Sequence, residues 1–138
     1  MSECFSFDQG SGTNPFTKLL ELNSDVVGWL RVNNTKANYP ITKYTDNEFY
    51  LEHDIYKRKV ITGWVFMDYR NDPVNMDKNT IIYGHNLISG YMFGDLKNTT
   101  NKDWYTNPDN QIITFNTLEK EMNWKIISMY RTNYTTDY

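Results

Sequence analysis

Short apolar stretches separated by polar turns run along most of the chain, and this pattern predicts many short strands. Strands are predicted over residues 26–32, 38–43, 63–68 and 80–83, with a hairpin formed by residues 111–115 and 123–130. Short helical segments are predicted over residues 46–51, 90–96 and 102–105, together with an N-terminal helix that ends at residues 23–24. Many short strands with brief helical insertions are typical of a mostly antiparallel β-barrel or β-sandwich.

Proline and capping residues refine three of these elements. Asn14 is a suitable N-cap for the first helix, and Pro15 suits the first helical position. Asp46 is the expected cap of the helical segment that follows it. Pro40 suggests that its strand lies at a sheet edge, because proline cannot donate a hydrogen bond to a strand ladder.

The strand predicted over residues 80–83 leads into a histidine. Its β-branched residues are typical of a buried strand, and Gly84 then allows the backbone to turn or to approach a neighbour closely. His85 follows at the exit of the strand, where a rigid backbone would suit proton transfer near neutral pH. A hydrogen-bonded structural histidine is the alternative, and these residues alone leave both open.

Composition bounds the possible functions. A chain of 138 residues forms one domain with a single core, and its net charge of −3 argues against a nucleic-acid-binding surface. Lys57, Arg58 and Lys59 are flanked by Asp54 and are predicted to form a solvated turn. The single cysteine, Cys4, excludes an internal disulfide and a cysteine-based zinc site. Two histidines do not favour a histidine metal site, so no metal or other cofactor is predicted.

Neither a membrane span nor a signal peptide is predicted. No apolar run approaches the ~20 residues that cross a bilayer. The first 12 residues are polar and small rather than basic and then apolar. Residues 1–13 are therefore predicted to be a flexible or tag-like lead-in, and residues 14–138 to be the folded domain.

Six phrases occur in a fixed order along this domain. They are Asp25-Val26-Val27-Gly28-Trp29-Leu30, Asn38-Tyr39-Pro40-Ile41, Asp46-Asn47-Glu48-Phe49-Tyr50-Leu51, Phe66-Met67-Asp68-Tyr69-Arg70-Asn71, Ile82-Tyr83-Gly84-His85-Asn86 and Met92-Phe93-Gly94-Asp95-Leu96. In this order and spacing they resemble the class B sortases, Gram-positive transpeptidases that attach surface proteins to the cell wall. The resemblance implies a sortase-type β-barrel with a short N-terminal helix and small inserted helices.

The family chemistry that this resemblance implies needs three groups. A cysteine thiolate attacks a sorting signal and forms a thioacyl intermediate, a histidine protonates the leaving amine, and an arginine stabilises the oxyanion. His85 matches the family histidine. The family cysteine, in a Thr-Leu-x-Thr-Cys strand, and the arginine of the next strand lie farther downstream, and neither motif is present in the 53 residues that follow His85. The domain is therefore expected to be incomplete at its C-terminus and inactive alone, the alternative being a non-catalytic peptide-binding module or pseudoenzyme.

The other candidate catalytic side chains do not match the family pattern. Cys4 is not expected to replace the nucleophile, since no apolar run precedes it and thiol reactivity needs an electropositive setting. Arg70 is expected to pair with Asp68 or Asp72, and His53 to be a solvated residue at a helix end. None of the arginines matches the family position; they are Arg31, Arg58, Arg70 and Arg131.

The resemblance also implies a peptide groove. Tyr83 lies two residues before His85 and would share its face of a strand. Asn47 and Leu51, four residues apart on one helical face, match positions that contact the signal, and Tyr138 matches a groove tyrosine. Ordinary packing is the alternative for each. The implied partners are a sorting-signal peptide and a peptidoglycan precursor or other amine, at the surface of a Gram-positive cell, with membrane attachment only through a segment absent from this chain.

Overall fold

A computed structural model of the chain describes residues 16–132. Six strands form one sheet: β1 Val26–Val32, β2 Asn38–Thr42, β3 Phe66–Met67, β4 Ile82–Tyr83, β5 Ile112–Thr117 and β6 Glu121–Lys125. Helix α1 spans Thr17–Leu22 and helix α2 spans Lys102–Tyr105, while single 3₁₀ segments span Phe49–Leu51, Gly94–Thr100 and Pro108–Gln111. This mostly-β architecture with small helices confirms the predicted fold class.

The sheet curls into a half-barrel with the strand order β4-β3-β2-β1-β5-β6. β2 and β3 are parallel, and every other neighbouring pair is antiparallel. The hairpin predicted near the end of the chain is formed by β5 and β6. The order puts β4 at one edge of the described sheet and β6 at the other.

The central strand β1 buries side chains on both of its faces. Leu30 and Val32 belong to the main core, which also contains Phe115 of β5. Trp29 packs in a smaller cluster with residues of α1. An irregularity in the pairing between Val26 and Gly28 adds one residue to the strand, and Val26 joins the cluster of Trp29.

The prediction of an edge position for Pro40 was wrong. β2 lies between β1 and β3, but its only residue paired with β3 is Thr42, which lies opposite Phe66. Beside Pro40, on the side away from β1, the Trp64 indole Nε1 donates to the Pro40 carbonyl at 2.9 Å. An interior strand tolerates this proline because β3 begins too late to need its missing N–H.

Several predicted strands are shorter than their apolar runs. Gly63, the first residue of the strand predicted over residues 63–68, has a φ of +55° and is not extended. β3 begins only at Phe66. The prediction that residues 80–83 form a buried strand was wrong in burial, because β4 lies at a sheet edge and is only half-buried. β6 ends at Lys125, and residues 126–132 have no regular structure. The helical segment predicted over residues 46–51 is helical only from Phe49 onward.

The first helix begins later than predicted. Phe16 occupies the N-cap position of α1, and Asn23 the C-cap position. The predicted cap Asn14 and the predicted first helical residue Pro15 lie outside the described residues. Between residues 16 and 132, no helix has the length and apolar character that crossing a bilayer requires.

Candidate active site

The short antiparallel strands β3 and β4 place Asp68 and His85 at opposite ends of their two-residue ladder. Tyr83 lies opposite Phe66 in this antiparallel pair, and the backbone N–H of Asp68 donates to the Ile81 carbonyl at 2.9 Å. Asp68 therefore follows β3 where β4 begins, whereas His85 lies just past the end of β4.

Gly84 allows β4 to approach the core. A Cβ atom at this position would lie 2.8 Å from side-chain atoms of both Val65 and Phe93, closer than packed carbon atoms tolerate. The same neighbour holds the next residue, since the Phe93 N–H donates to the His85 carbonyl at 2.9 Å. The backbone at His85 is thus held against Phe93.

The His85 ring contacts the turn that contains Leu51. Its Nε2 lies 2.8 Å from the Leu51 carbonyl oxygen. A carbonyl only accepts hydrogen bonds, so Nε2 carries the hydrogen and Nδ1 of the neutral ring has a free lone pair. No hydrogen bond to Nδ1 occurs among residues 16–132. This half-buried histidine can therefore gain and release a proton at Nδ1.

Asp46 bonds the turn that leads to Leu51, as its predicted capping role requires, although Glu48 occupies the N-cap position of the 3₁₀ segment. Asp46 Oδ1 accepts from the N–H groups of Glu48 and Phe49, both at 2.9 Å. These two hydrogen bonds lower the pKa of Asp46 by stabilising its carboxylate. The cap fixes the backbone that leads into the 3₁₀ segment, and with it the carbonyl that receives His85.

A second set of contacts centres on Asp68, whose side chain is 2% exposed. Its Oδ2 accepts from Asn47 Nδ2 and from the Tyr83 hydroxyl, each at 3.0 Å, and from the guanidinium of Arg70 at 2.9 Å. Asn47 is held at its other end because its Oδ1 accepts from the Tyr69 N–H at 2.9 Å. Asp68 thus joins side chains from three separate segments.

The charges of this cluster change its proton affinities. The Arg70 guanidinium holds the pKa of Asp68 well below its usual range, and Asp68 in turn raises the pKa of Arg70. The hydrogen bond to Asp68 raises the pKa of the Tyr83 hydroxyl, because a phenolate there would face a carboxylate. Asp68 is therefore a carboxylate and Tyr83 a neutral donor at physiological pH.

The structure joins the predicted site residues in two pairs. Asn47 and Tyr83 meet at Asp68, while Leu51 and His85 are in direct contact. Tyr138, the remaining groove residue predicted, lies outside the described residues, as does Cys4. The predicted pairing of Arg70 with Asp68 is confirmed by two side-chain hydrogen bonds of 2.9 Å.

Sequence reasoning missed the central position of Asp68. It named Asp68 only as a possible partner of Arg70, two residues away. The available signal was a carboxylate directly after an apolar strand, since such a residue must find donors where the strand leaves the core.

The prediction that His53 is solvated was wrong. Its ring is half-buried and stacks on Phe49 with a centroid distance of 4.0 Å and an interplanar angle of 3°. Its Nδ1 also lies 2.8 Å from the Phe49 carbonyl oxygen. An aromatic neighbour four residues earlier explains the difference, because one turn of 3₁₀ helix brings the two rings together.

The basic residues 57–59 lie in an exposed turn, as predicted, and each pairs with a carboxylate. Lys57 lies 3.3 Å from Asp25, and Lys59 lies 3.6 Å from Glu52. Arg58 lies 2.7 Å from the buried Asp54. Within the described part of the chain, no group of three or more histidine, cysteine, aspartate and glutamate residues could hold a metal ion.

A cavity of about 330 Å³ lies elsewhere, beside the segment that follows β6. Its lining includes Trp104 and Tyr105 of α2 and Ile126 and Met129 of the segment after β6. Neither His85 nor Asp68 lines it. The candidate site therefore lies outside this cavity, and it consists of residues 46–51, Tyr83 and His85 together with the buried Asp68; we call it the β4 wall.

Comparisons with known proteins identify relatives of the chain. No protein-family model matches it. Sortase B of Listeria monocytogenes is 48% identical over 86 residues, which cover 62% of this chain and 35% of the relative. Sortase B of Staphylococcus aureus is 32% identical over 123 residues, which cover 89% of this chain and 50% of the relative. The chain thus spans about half or less of the length of these two relatives.

Solved structures agree with these matches. A crystal structure of Bacillus anthracis sortase B in complex with AAEK1 has a TM-score of 0.81 and 32% identity, over 96% of this chain and 63% of that one. The Staphylococcus aureus sortase B–substrate complex has a TM-score of 0.74 and 32% identity, over 80% of this chain and 50% of that one. These similarities agree with the strand order, the small helices and the six ordered phrases. Over the region it spans, the chain belongs to the class B sortase family.

Proposed function

We propose that this chain forms the histidine-bearing part of a cysteine transpeptidase, and that its β4 wall contacts the sorting signal of a surface protein. The observation that carries the proposal is the 2.8 Å contact between His85 Nε2 and the Leu51 carbonyl. It joins two residues, 34 positions apart in sequence, that both match functional positions of the family. A histidine fixed in this way keeps Nδ1 free for proton transfer.

The chemistry follows from the family resemblance. A thiolate attacks the scissile carbonyl, a sulfur–carbon bond forms, and the peptide carbon–nitrogen bond breaks as the imidazolium form of His85 gives its Nδ1 proton to the leaving amine. A second amine then attacks the thioester and releases the thiolate, losing its proton to His85. The family cysteine and arginine motifs are not among these 138 residues. In this proposal a further segment supplies both groups, so the chain alone is inactive.

The proposed partners are a sorting-signal peptide and an amine acceptor. The Staphylococcus aureus sortase B that matches this fold was solved as a substrate complex, which supports a peptide ligand for the corresponding wall. The acceptor is a peptidoglycan precursor or another cell-wall or pilin amine. The relatives come from Gram-positive bacteria, which supports a location at the cell surface, with attachment through a segment outside this chain.

An incubation with a labelled Asn-Pro-x-Thr-type peptide tests the proposal. We expect the 138-residue chain to bind this peptide more tightly than a scrambled peptide of the same composition. We expect no thioacyl adduct by intact-mass spectrometry, since the chain lacks the family nucleophile. An adduct on Cys4 would contradict the assignment of the nucleophile to another segment.

A chimera separates this proposal from a non-catalytic binding module. The module remains a candidate because the contacts among Asn47, Leu51, Tyr83 and His85 form within this chain and need no cysteine. The chimera joins the chain to the C-terminal segment of Staphylococcus aureus sortase B, which would supply the cysteine and arginine. Cleavage of the peptide supports the transpeptidase; binding without cleavage by a folded chimera supports the module.

A further inference from the structure

The buried carboxylate of Asp68 fixes the hydrogen-bonding polarity of two proposed groove residues. Its Oδ2 accepts from Asn47 Nδ2 and from the Tyr83 hydroxyl, both at 3.0 Å. Its Oδ1 accepts from the backbone N–H and Nε of Arg70, both at 2.9 Å. A carboxylate is an acceptor only, so each of these neighbours must donate.

This arrangement determines what Tyr83 and Asn47 can offer a ligand. The Tyr83 hydroxyl has one hydrogen, which Asp68 takes, so toward other groups its oxygen can only accept; the Arg70 guanidinium is one donor to it, and a peptide donor can use the remaining lone pair. Asn47 Oδ1 accepts from the Tyr69 N–H, and one hydrogen of Nδ2 is bonded to Asp68. Asn47 therefore keeps one N–H for donation. The wall presents an acceptor at Tyr83 and a donor at Asn47.

We propose that Asp68 is a positioning residue for peptide recognition, which acts through Tyr83 and Asn47 and does not itself contact the peptide. The inference rests on the proposed function, since it needs a peptide ligand at the β4 wall. Asp68 is buried, and the side chains that it orients come from the turn before Phe49 and from β4. An asparagine at this position would lose the obligatory acceptor, because its NH₂ group would face donors.

Arg70 keeps the carboxylate in its charged form. Its guanidinium bonds both oxygens of Asp68 at 2.9 Å while its own side chain is largely exposed. The low pKa of Asp68 that results means that the acceptor persists through the physiological pH range. Arg70 thus stabilises the orientation without occupying the wall.

The first experiment needs no peptide. Tyrosine ¹³Cζ chemical shifts of the 138-residue chain are followed against pH, with the Tyr83 signal assigned by its loss in Tyr83→Phe. We expect Tyr83 in the parent to ionise above the ordinary tyrosine pKa, and in Asp68→Asn to ionise at a lower pH than in the parent. An unchanged Tyr83 titration in a folded Asp68→Asn variant would overturn the inference, because a merely structural role of Asp68 would not set this bond.

The second experiment measures peptide affinity by fluorescence anisotropy with the labelled Asn-Pro-x-Thr-type peptide. We expect Asp68→Asn to weaken binding about 10-fold, and the Asp68→Asn/Tyr83→Phe double variant to lose less than the sum of the two single losses, as residues in one network do. The matched control is Asp54→Asn, which changes another buried carboxylate paired with an arginine, Arg58, at 2.7 Å. We expect that control to bind within about 2-fold of the parent.

The outcomes test the positioning role of Asp68 separately from the proposed function. Parent-like binding by Asp68→Asn overturns the positioning role and leaves the proposed function intact. Absence of binding by the parent itself overturns the proposed function and the inference together. If Asp68→Asn does not fold, the double variant Asn47→Ala/Tyr83→Phe takes its place, because it removes the two groups through which Asp68 would act; an affinity within 2-fold of the parent would then overturn the inference.

Discussion

The two edges of the described sheet are held in different ways. β4 has only two residues, paired with β3, yet side-chain hydrogen bonds from Tyr83 and His85 fix its position. β6 has five residues, all paired with β5. Despite this longer ladder, Trp124 of β6 is 52% exposed, and Ile127 of the following segment is 96% exposed.

The β4 edge therefore presents a polar surface with fixed hydrogen-bonding groups, whereas the β6 edge presents an uncovered apolar surface. At the β4 edge, a few buried polar groups determine which atoms face outward, and ligand recognition requires this control. At the β6 edge, apolar side chains and unpaired backbone groups invite contact with another chain or segment. A longer strand ladder therefore does not by itself make an edge the functional one.

The largest expected effect tests the catalytic importance of the β4 edge. In the active chimera described above, His85→Ala should lower turnover by ~10²–10⁴-fold, because the leaving amine loses its proton donor. The melting temperature and far-UV circular dichroism should remain close to those of the parent, since the half-buried ring makes one hydrogen bond. Unfolding of the variant, or turnover near that of the parent, would favour a purely structural histidine.

The next effect concerns the stability that the Asp68 network gives to the β4 edge. Asp68→Asn should lower the free energy of unfolding at pH 7 by about 2–3 kcal/mol, since charged hydrogen bonds are lost. The folded-state pKa of Asp68 is lower than its unfolded value of about 3.9. Its contribution is therefore fully present above about pH 4 and is lost as the pH falls through the folded-state pKa.

Urea denaturation at several pH values measures this contribution. The difference in unfolding free energy between the parent and Asp68→Asn should shrink as the pH is lowered below about 4. The exposed Asp103 of α2 provides the control, and Asp103→Asn should stay within about 0.5 kcal/mol of the parent at pH 7. A difference for Asp68→Asn that does not change with pH would mean that its charge has no part in the stability.

A smaller effect is expected at the β6 edge. We expect the 138-residue chain to self-associate at high concentration through this edge, and the double variant Trp124→Lys/Ile127→Lys to remain monomeric to higher concentration. Sedimentation velocity over a concentration series measures the change. Ile88 is 97% exposed but lies in the loop after β4, so Ile88→Lys is the control and should leave association unchanged.

The sequence predicted elements whose signals are local. The bounds of β1 and α2 were predicted correctly, because polar residues flank each segment on both sides. Pro40 and β4 were misjudged, since strand order and burial depend on neighbours distant in sequence. Whether an edge is covered by another strand cannot be determined from its own residues.

The candidate site shows the same limit. Asn47, Leu51, Tyr83 and His85 were found through the family resemblance, and their contacts appeared only in the structure. The central role of Asp68 depends on Asn47, 21 positions away, and on Tyr83, 15 positions away. Only its partner Arg70 was near enough in sequence to be predicted.

The smallest expected effect concerns His53, whose ring contacts Phe49 of the β4 wall. Its ring stacks on Phe49, so His53→Ala should lower the free energy of unfolding by about 1 kcal/mol. Turnover of the chimera should remain within a few-fold of the parent, because the Leu51 carbonyl is also positioned by the Asp46 cap. Urea denaturation and peptide-cleavage rates measure the two effects separately. A rate loss as large as that of His85→Ala would mean that the stacked ring positions the Leu51 carbonyl, and the β4 wall would then have to include His53.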